Sequence, residues 1–457
     1  MPKTESTPDS ALTARRSTAK AIRALAIPAF GALIAEPLFL LADSAIVGHL
    51  GVPQLAGVGL AATVLQTVVG LMVFLAYSTT PAVARLLGAG RHAQALAVGR
   101  DGLWLAAILG VVLSVLGILT GGRLLAAMGA RGEVLEYAQE YFLISLAGIP
   151  AMLLVMAAMG VLRGLQDTKT PLIVAAAGFG LNIVMNFVLV YGFNFSVGGA
   201  AAGTVIAQWG MAAVYLVIVV RAARLHGVGL RPDWRGVKTV SQVGSWLMLR
   251  TLSLRAAILV TVVVVTAQGP VNLAAHQLAM TIFSFLAFAL DALAIAAQAL
   301  VGKELGAGNV AQVRRLTKTM TRWGLGFGVL TGVGLAAVSG VVGWIFTTDP
   351  SVHAALAAAL LVLAVGQPLA GYVFVLDGVL IGAGDARYLA LAGLANLVIY
   401  LPLLYWVSQE AFGDTVPGMF WVWAAFSVGY MGARGLTLGL RARTGRWMQT
   451  GVPAGRG

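Results

Sequence analysis

The chain has no cysteine and only five histidines among its 457 residues. That excludes disulfide staples, thiolate metal sites and cysteine nucleophiles, and it leaves little material for a histidine-built metal centre. Charge is also scarce. Asp, Glu, Lys and Arg make up 10% of the residues, against about 25% in an average soluble domain, and hydrophobic residues make up 59%. So few charges cannot clothe a water-exposed surface, and a mean hydropathy of +0.90 points to a polytopic membrane protein. At roughly 35 residues per span and loop, the length accommodates about a dozen helices of ~20 apolar residues. HExxH metal motifs, GxSxG elbows and Gly-Lys-Ser/Thr phosphate loops are absent from the sequence, which disfavours an enzyme and ATP as a direct energy source. No cofactor and no metal site are expected.

Apolar stretches fall near 21–49, 53–83, 92–119, 134–160, 170–192 and 197–221, then near 239–267, 271–301, 316–346, 351–381, 387–408 and 416–440. The first twenty residues are polar and lack the apolar core of a secretory signal; they are expected to be a disordered cytoplasmic tail, with a second tail at 441–457. The remainder divides into an N-lobe at 21–221, a linker at 222–238 and a C-lobe at 239–440. Acidic residues are few, giving a net charge of +13. With the N-terminus inside, basic residues collect on or near the cytoplasmic side, with only Arg123 and Arg131 outside and Arg250 and Arg255 within the seventh span. This is the positive-inside pattern. It places the protein in a bacterial inner membrane with both termini cytoplasmic, and nucleic acid is not an expected partner.

The two halves repeat. Leu87-Gly88-Ala89-Gly90 with Ala93-Gln94 recurs as Leu305-Gly306-Ala307-Gly308 with Ala311-Gln312, an offset of 218 residues (306 minus 88). Gly148 and Pro150 match Gly366 and Pro368, while Val161-Leu162, Gly164 and Asp167 match Val379-Leu380, Gly382 and Asp385. Six is an even number of spans, so both copies enter from one side. Such parallel repeats enclose a central cavity and suit alternating access.

Several segments resemble the multidrug and toxic compound extrusion (MATE) family, in its DNA-damage-inducible protein F branch. They are Glu36-Pro37-Leu38, Asp43 through Gly51, Leu162 through Lys169, Leu249-Arg250-Thr251, Ala274 through Gln277, and Ala296 through Gly302. The resemblance implies twelve helices in two lobes. It also implies export of amphiphilic drugs or toxic metabolites in exchange for protons or sodium ions, with membrane lipid as the surrounding partner.

An intramembrane charge costs about 2.5–3.5 kcal/mol on insertion scales, so each one retained needs a partner, a wet cavity or a function. Asp43 lies in an apolar run about 20 residues into the first span. A carboxyl there is desolvated, and a modest change of access can make it take or release a proton; a structural hydrogen-bonding role is the alternative. The resemblance matches Asp43 to the family's helix-one protonation site, and Asn182 and Thr204 to its polar network. Asn182 and Asn186 share one helix face at i, i+4, as do Thr204 and Gln208; such groups can also serve only to join helices. Some relatives carry an aspartate at the position of Asn186. One carboxylate fewer favours protons over sodium, because hard cations want several charged oxygen ligands.

Glu36 precedes Asp43 by seven residues, about 10 Å along the axis. It can act as a relay or pair with an arginine of the seventh span. Pro28 and Pro37 flank this segment as candidate hinges. Arg250 and Arg255 lie roughly 18 and 25 Å beyond Lys238. They can neutralise Glu36, Asp291 or Asp377, or present a cationic wall to an anionic substrate. Met152, Met156, Met159, Phe283, Phe285 and Phe288 are either packing or an adaptable drug surface. The alternative functions are sodium-coupled export and the flipping of lipid-linked oligosaccharides.

Overall fold

The computed structural model describes residues 8–409 and 416–451, with side chains from residue 17 onward except at 36 and 39–41. The tail residues 1–7 and 452–457 lie outside this set, as does the side chain of Glu36. Fifteen α-helices follow one another, and the described residues contain no strand. They are α1 (Pro8–Gly48), α2 (Val52–Leu71), α3 (Phe74–Gly88), α4 (His92–Ala127), α5 (Glu133–Leu146), α6 (Ile149–Gly164), α7 (Lys169–Phe187) and α8 (Ser196–Leu225). The second half continues with α9 (Trp234–Ala267), α10 (Pro270–Gly306), α11 (Val310–Val338), α12 (Pro350–Gly382), α13 (Ala386–Gln409), α14 (Val416–Ala424) and α15 (Met431–Thr444).

Ten segments among the described residues are long and apolar enough to cross a membrane, and α5 with α6, bent by 49°, makes an eleventh. The twelfth span expected from the sequence, near 416–440, falls on α14 joined to α15 through the π-helical turn Ala425–Tyr430, which is not among these eleven. Glycine and tryptophan dilute its hydropathy. Apolar side chains such as Ile118 and Leu119 on α4, and Leu330 and Val333 on α11, stand exposed, as lipid-facing residues do.

The repeat read from the sequence is also a repeat of backbone geometry. Gly90 and Gly308 both have positive φ, at 74° and 76°. The Gly90 amide donates to the Leu87 carbonyl and that of Arg91 to Leu86, just as Gly308 donates to Leu305 and Asn309 to Glu304. These are paired Schellman-type stops, for which glycine supplies the left-handed residue without a Cβ clash. After α6 and α12 the pattern matches again, with the Asp167 backbone amide donating to the Leu162 carbonyl and that of Asp385 to the Leu380 carbonyl. The halves differ at Pro150 and Pro368. Pro150 opens α6 after the bend, whereas Pro368 lies inside the unbroken α12.

Two compact units emerge from the packing, Gly31–Met248 and Leu249–Gly451, the latter joined by the part of α1 up to Phe30. The change of unit within α1 therefore falls between Pro28 and Pro37. In the second unit α12 is central, packed on α10 and α11. Lipid tails are as apolar as the helix surfaces, so close approach rather than hydrophobicity joins these spans. Gly324, Gly328 and Gly332 provide it, each facing the α12 backbone. In the first unit α6 holds the equivalent place against α3 and α4, with Gly110 of α4 against Pro150.

One expectation changes, and two segments gain detail. Helix α1 begins at Pro8, inside the segment expected to be a disordered tail; the Ala-, Arg- and Lys-bearing stretch after Pro8 has good helix propensity and no glycine. The linker between α8 and α9 is held by hydrogen bonds. Arg100 donates to the Gly229 carbonyl at 2.9 Å and Trp104 to that of Leu230 at 3.0 Å, while Asp101 accepts from the Asp233 amide at 3.1 Å. The C-terminal tail is likewise docked as far as Gly451. Trp447 is buried, and the Gly451 amide donates to the Leu305 carbonyl.

Candidate functional site

Four elements of the first unit place polar groups around Asp43. Helix α1 brings the carboxylate, which is 7% exposed. Helix α7 brings Asn182 and Asn186 one turn apart on its inner face, both buried, and α8 brings Thr204. Helix α5 contributes Tyr141, whose hydroxyl lies beside Asp43 and Thr204. Gly203 is what lets α8 come so near, because a Cβ there would stand 2.9 Å from the Asn186 backbone nitrogen.

The hydrogen bonds run in one direction. Thr204 Oγ1 spends its proton on the Ala200 carbonyl at 3.0 Å and so accepts from Asn182 Nδ2 at 2.9 Å. Asn182 Oδ1 then accepts from Asn186 Nδ2 at 3.1 Å, which fixes the Asn186 amide with its N–H side toward Asp43, 2.6 Å away. Each bond sets the orientation of the next group. The chain begins at a backbone carbonyl and ends by donating to a buried carboxylate. Asn186 Oδ1, by contrast, has no hydrogen-bond partner.

Gln208, expected beside Thr204, is instead half-buried against Gly148. Pro28 and Pro37 lie within the continuous α1. Tyr141 was not singled out in the sequence; its signal was a tyrosine in a segment with Glu136, Gln139 and Glu140, which reads as interfacial.

A second polar cluster lies in the other unit. Arg250 of α9 makes a two-pronged pair with Asp377 of α12, through Nε to Oδ1 at 3.1 Å and through Nη2 to Oδ2. Arg434 of α15 also approaches Asp377, at 3.6 Å. Both pairs lie inside one bundle. Of the acids offered to Arg250 by the sequence, Asp377 is a partner; the Glu36 side chain lies outside the described residues. Arg255 is exposed and has no ion pair among the described residues. Asp291 is half-buried on α10. Arg434 was counted with the cytoplasmic charges because it stands near the end of its span. Like Arg85 and Arg163, it is buried.

The fold and these two clusters define a polytopic membrane transporter built from two repeats. The MatE family profile matches the chain twice, over residues 28–188 and 247–406, one match in each half. The chain belongs to the MatE family. It is 31% identical to the DNA damage-inducible protein F of Escherichia coli over 436 residues, covering 92% of this chain and 91% of that one. It is 26% identical to a probable multidrug resistance protein NorM of Thermotoga maritima, covering 72% of each. Among solved structures it resembles a MOP superfamily transporter from Pyrococcus furiosus, described as having a binding pocket of reverse polarity that suggests a different function. That likeness has a TM-score of 0.85 at 25% identity and covers 95% of this chain and 97% of the other. The twelve-helix fold expected from the sequence is thus that of the family, and family and fold are those of transporters.

Proposed function

We propose that this protein is a proton-coupled antiporter of a bacterial inner membrane, exporting amphiphilic compounds by alternating access with Asp43 as the coupling carboxylate. One observation carries the reading: a buried carboxylate at the end of a directed hydrogen-bond chain, facing an N–H donor. The ionised form receives that donor. The neutral form carries a proton and needs an acceptor instead, which Asn186 Oδ1 supplies when the amide turns over. Protonation therefore reverses the polarity that Asp43 demands of α7 and α8, and the chain Asn186–Asn182–Thr204 passes that demand on. Hard cations want several charged oxygen ligands, and with an amide at position 186 Asp43 has no second carboxylate on α7 beside it. This supports protons over sodium.

Energetically one charge crossing 100 mV is worth about 2.3 kcal/mol, enough to hold roughly a fifty-fold gradient of a neutral substrate. The names of relatives such as NorM support multidrug export, and the basic-residue pattern supports cytoplasmic termini. The test is efflux of a fluorescent dye from sodium-free vesicles under an imposed pH gradient, comparing the native chain with Asp43→Asn. Transport that needs the gradient and disappears in the variant is expected. Gradient-driven transport that survives the substitution removes Asp43 from the coupling role.

A further inference from the structure

Proline stands at the same place in both repeats, yet only one of the two helices is broken there. Pro150 follows the break between α5 and α6, which meet at 49°, whereas Pro368 lies inside the continuous α12. Proline removes the backbone N–H that the carbonyl four residues earlier would accept. It therefore frees the carbonyl of Leu146 in one repeat and that of Ala364 in the other. What meets the freed carbonyl differs. Ser114 of α4 donates its hydroxyl to the Leu146 carbonyl at 2.7 Å, and Trp209 of α8 donates its indole N–H to the next carbonyl, that of Ala147, at 2.9 Å. At the offset of 218 residues Ser114 corresponds to Gly332, which packs against the Ala364 carbonyl and has no side chain to donate. The same offset takes Tyr141 to Ala359 and Asp43 to Thr261. The break, the hydroxyl at it and the Tyr141–Asp43 pair thus occur together in the first repeat, and all three are replaced in the second.

We propose that Ser114 and Trp209 are positioning residues of the coupling site: by taking the two carbonyls at the break, they hold α5 at the angle that sets the Tyr141 hydroxyl against Asp43. Tyr141 stands five residues before Leu146, little more than one helical turn, so a change in the angle of α5 moves it directly. Among the described residues it is the ionisable group hydrogen-bonded to Asp43. The inference rests on the antiporter reading for its effect on coupling. The angle of α5 itself can be measured without transport.

The chain has no native cysteine, so Glu133→Cys at the start of α5 and Lys169→Cys beyond the end of α6 can carry spin labels. The distance between them, in the full chain reconstituted in lipid, reads the angle of the break. Ser114→Ala and Trp209→Phe each remove one donor and should shift or broaden that distance, whereas Ser114→Thr keeps the hydroxyl and should not. In sodium-free vesicles under an imposed pH gradient, Ser114→Ala and Trp209→Phe should lower dye efflux severalfold and move the pH of half-maximal efflux in the same sense as Tyr141→Phe. On the Tyr141→Phe background Ser114→Ala should cost less than about twofold more, because the hydroxyl it positions is already gone. Trp209 is exposed, so Trp209→Phe remains informative if Ser114→Ala fails to fold. An unaltered distance in both folded variants overturns the proposal. So does a pH profile that stays native, or a full and independent loss on the Tyr141→Phe background. Absence of pH-driven efflux from the native chain, with the distance still shifted in the variants, would sink the antiporter reading and leave Ser114 and Trp209 setting the break.

Discussion

Asn186 Nδ2 lies 2.6 Å from Asp43 Oδ1 and 3.1 Å from Asn182 Oδ1, so a single amide couples the buried carboxylate of α1 to the polar face of α7. The choice of an amide over an acid at this position has a chemical consequence. An acid would place two carboxylates at hydrogen-bonding distance, where they either share one proton or recruit a cation.

Asn186→Asp should therefore acquire a response to sodium. In vesicles at a fixed pH gradient, added sodium ions are expected to stimulate dye efflux by the variant and to leave the native chain unchanged. A variant indifferent to sodium would show that position 186 does not select the ion.

Tyr141→Phe isolates the contribution of α5. Its hydroxyl faces Asp43 and Thr204, and a hydrogen bond to a charged group is worth about 1.5–3 kcal/mol. The coupled transport rate should fall by about tenfold or more, with uncoupled binding of the dye retained. Retained rate in Tyr141→Phe would place the hydroxyl outside the coupling chemistry.

The spans, the duplication, and the polar set Asp43, Asn182, Asn186 and Thr204 were legible because each depends on local pattern: long apolar runs, one repeated offset, and i, i+4 spacing. The direction of the hydrogen bonds was not legible, since it is set by the Ala200 carbonyl, a backbone group without a sequence signal. The burial of Arg434 was not legible for a similar reason. Counting basic residues gives the side of the membrane and not the partner, and the partner, Asp377, stands 57 residues earlier in the chain. Glycine contacts such as Gly203 on Asn186 are visible only once two helices are paired.

Gly324→Val tests close packing in the second unit. A Cβ at this position would stand 2.6 Å from the Gly371 carbonyl oxygen and 2.8 Å from a Val375 methyl, and backbone cannot yield as a side-chain tip can. Overpacking of this kind costs about 1–3 kcal/mol. Thermal melting in detergent should show a clear drop for Gly324→Val and almost none for Gly326→Val, whose Cβ would meet nothing within 4 Å. Equal melting of the two would mean that α11 and α12 are not held by this contact.

The matched aspartates of the two repeats should differ in effect. Asp167 accepts from the Lys169 and Thr170 amides at 3.1 and 3.0 Å and from the Thr170 hydroxyl, capping the start of α7. Its loss in Asp167→Ala should cost about 1 kcal/mol. Asp385 instead accepts from Arg441 at 2.7 Å, at a partly exposed pair where the contribution is about 0–1 kcal/mol and falls with salt. Melting of Asp385→Ala should approach that of the native chain as ionic strength rises, and melting of Asp167→Ala should not.

Asp377 offers the sharpest stability test, because it faces two arginines whose side chains are 10% and 9% exposed. Asp377→Asn removes the carboxylate that both arginines face, a change that costs about 3–5 kcal/mol. Arg250→Gln in the same chain removes one of the two guanidinium charges that faced Asp377 and lets two amides replace the ion pair. The double variant should therefore melt above Asp377→Asn, recovering about half of the loss, with a coupling energy of about 1–3 kcal/mol between the sites. A double variant that melts below Asp377→Asn would mean that Arg250 stabilises α9 chiefly through contacts other than Asp377.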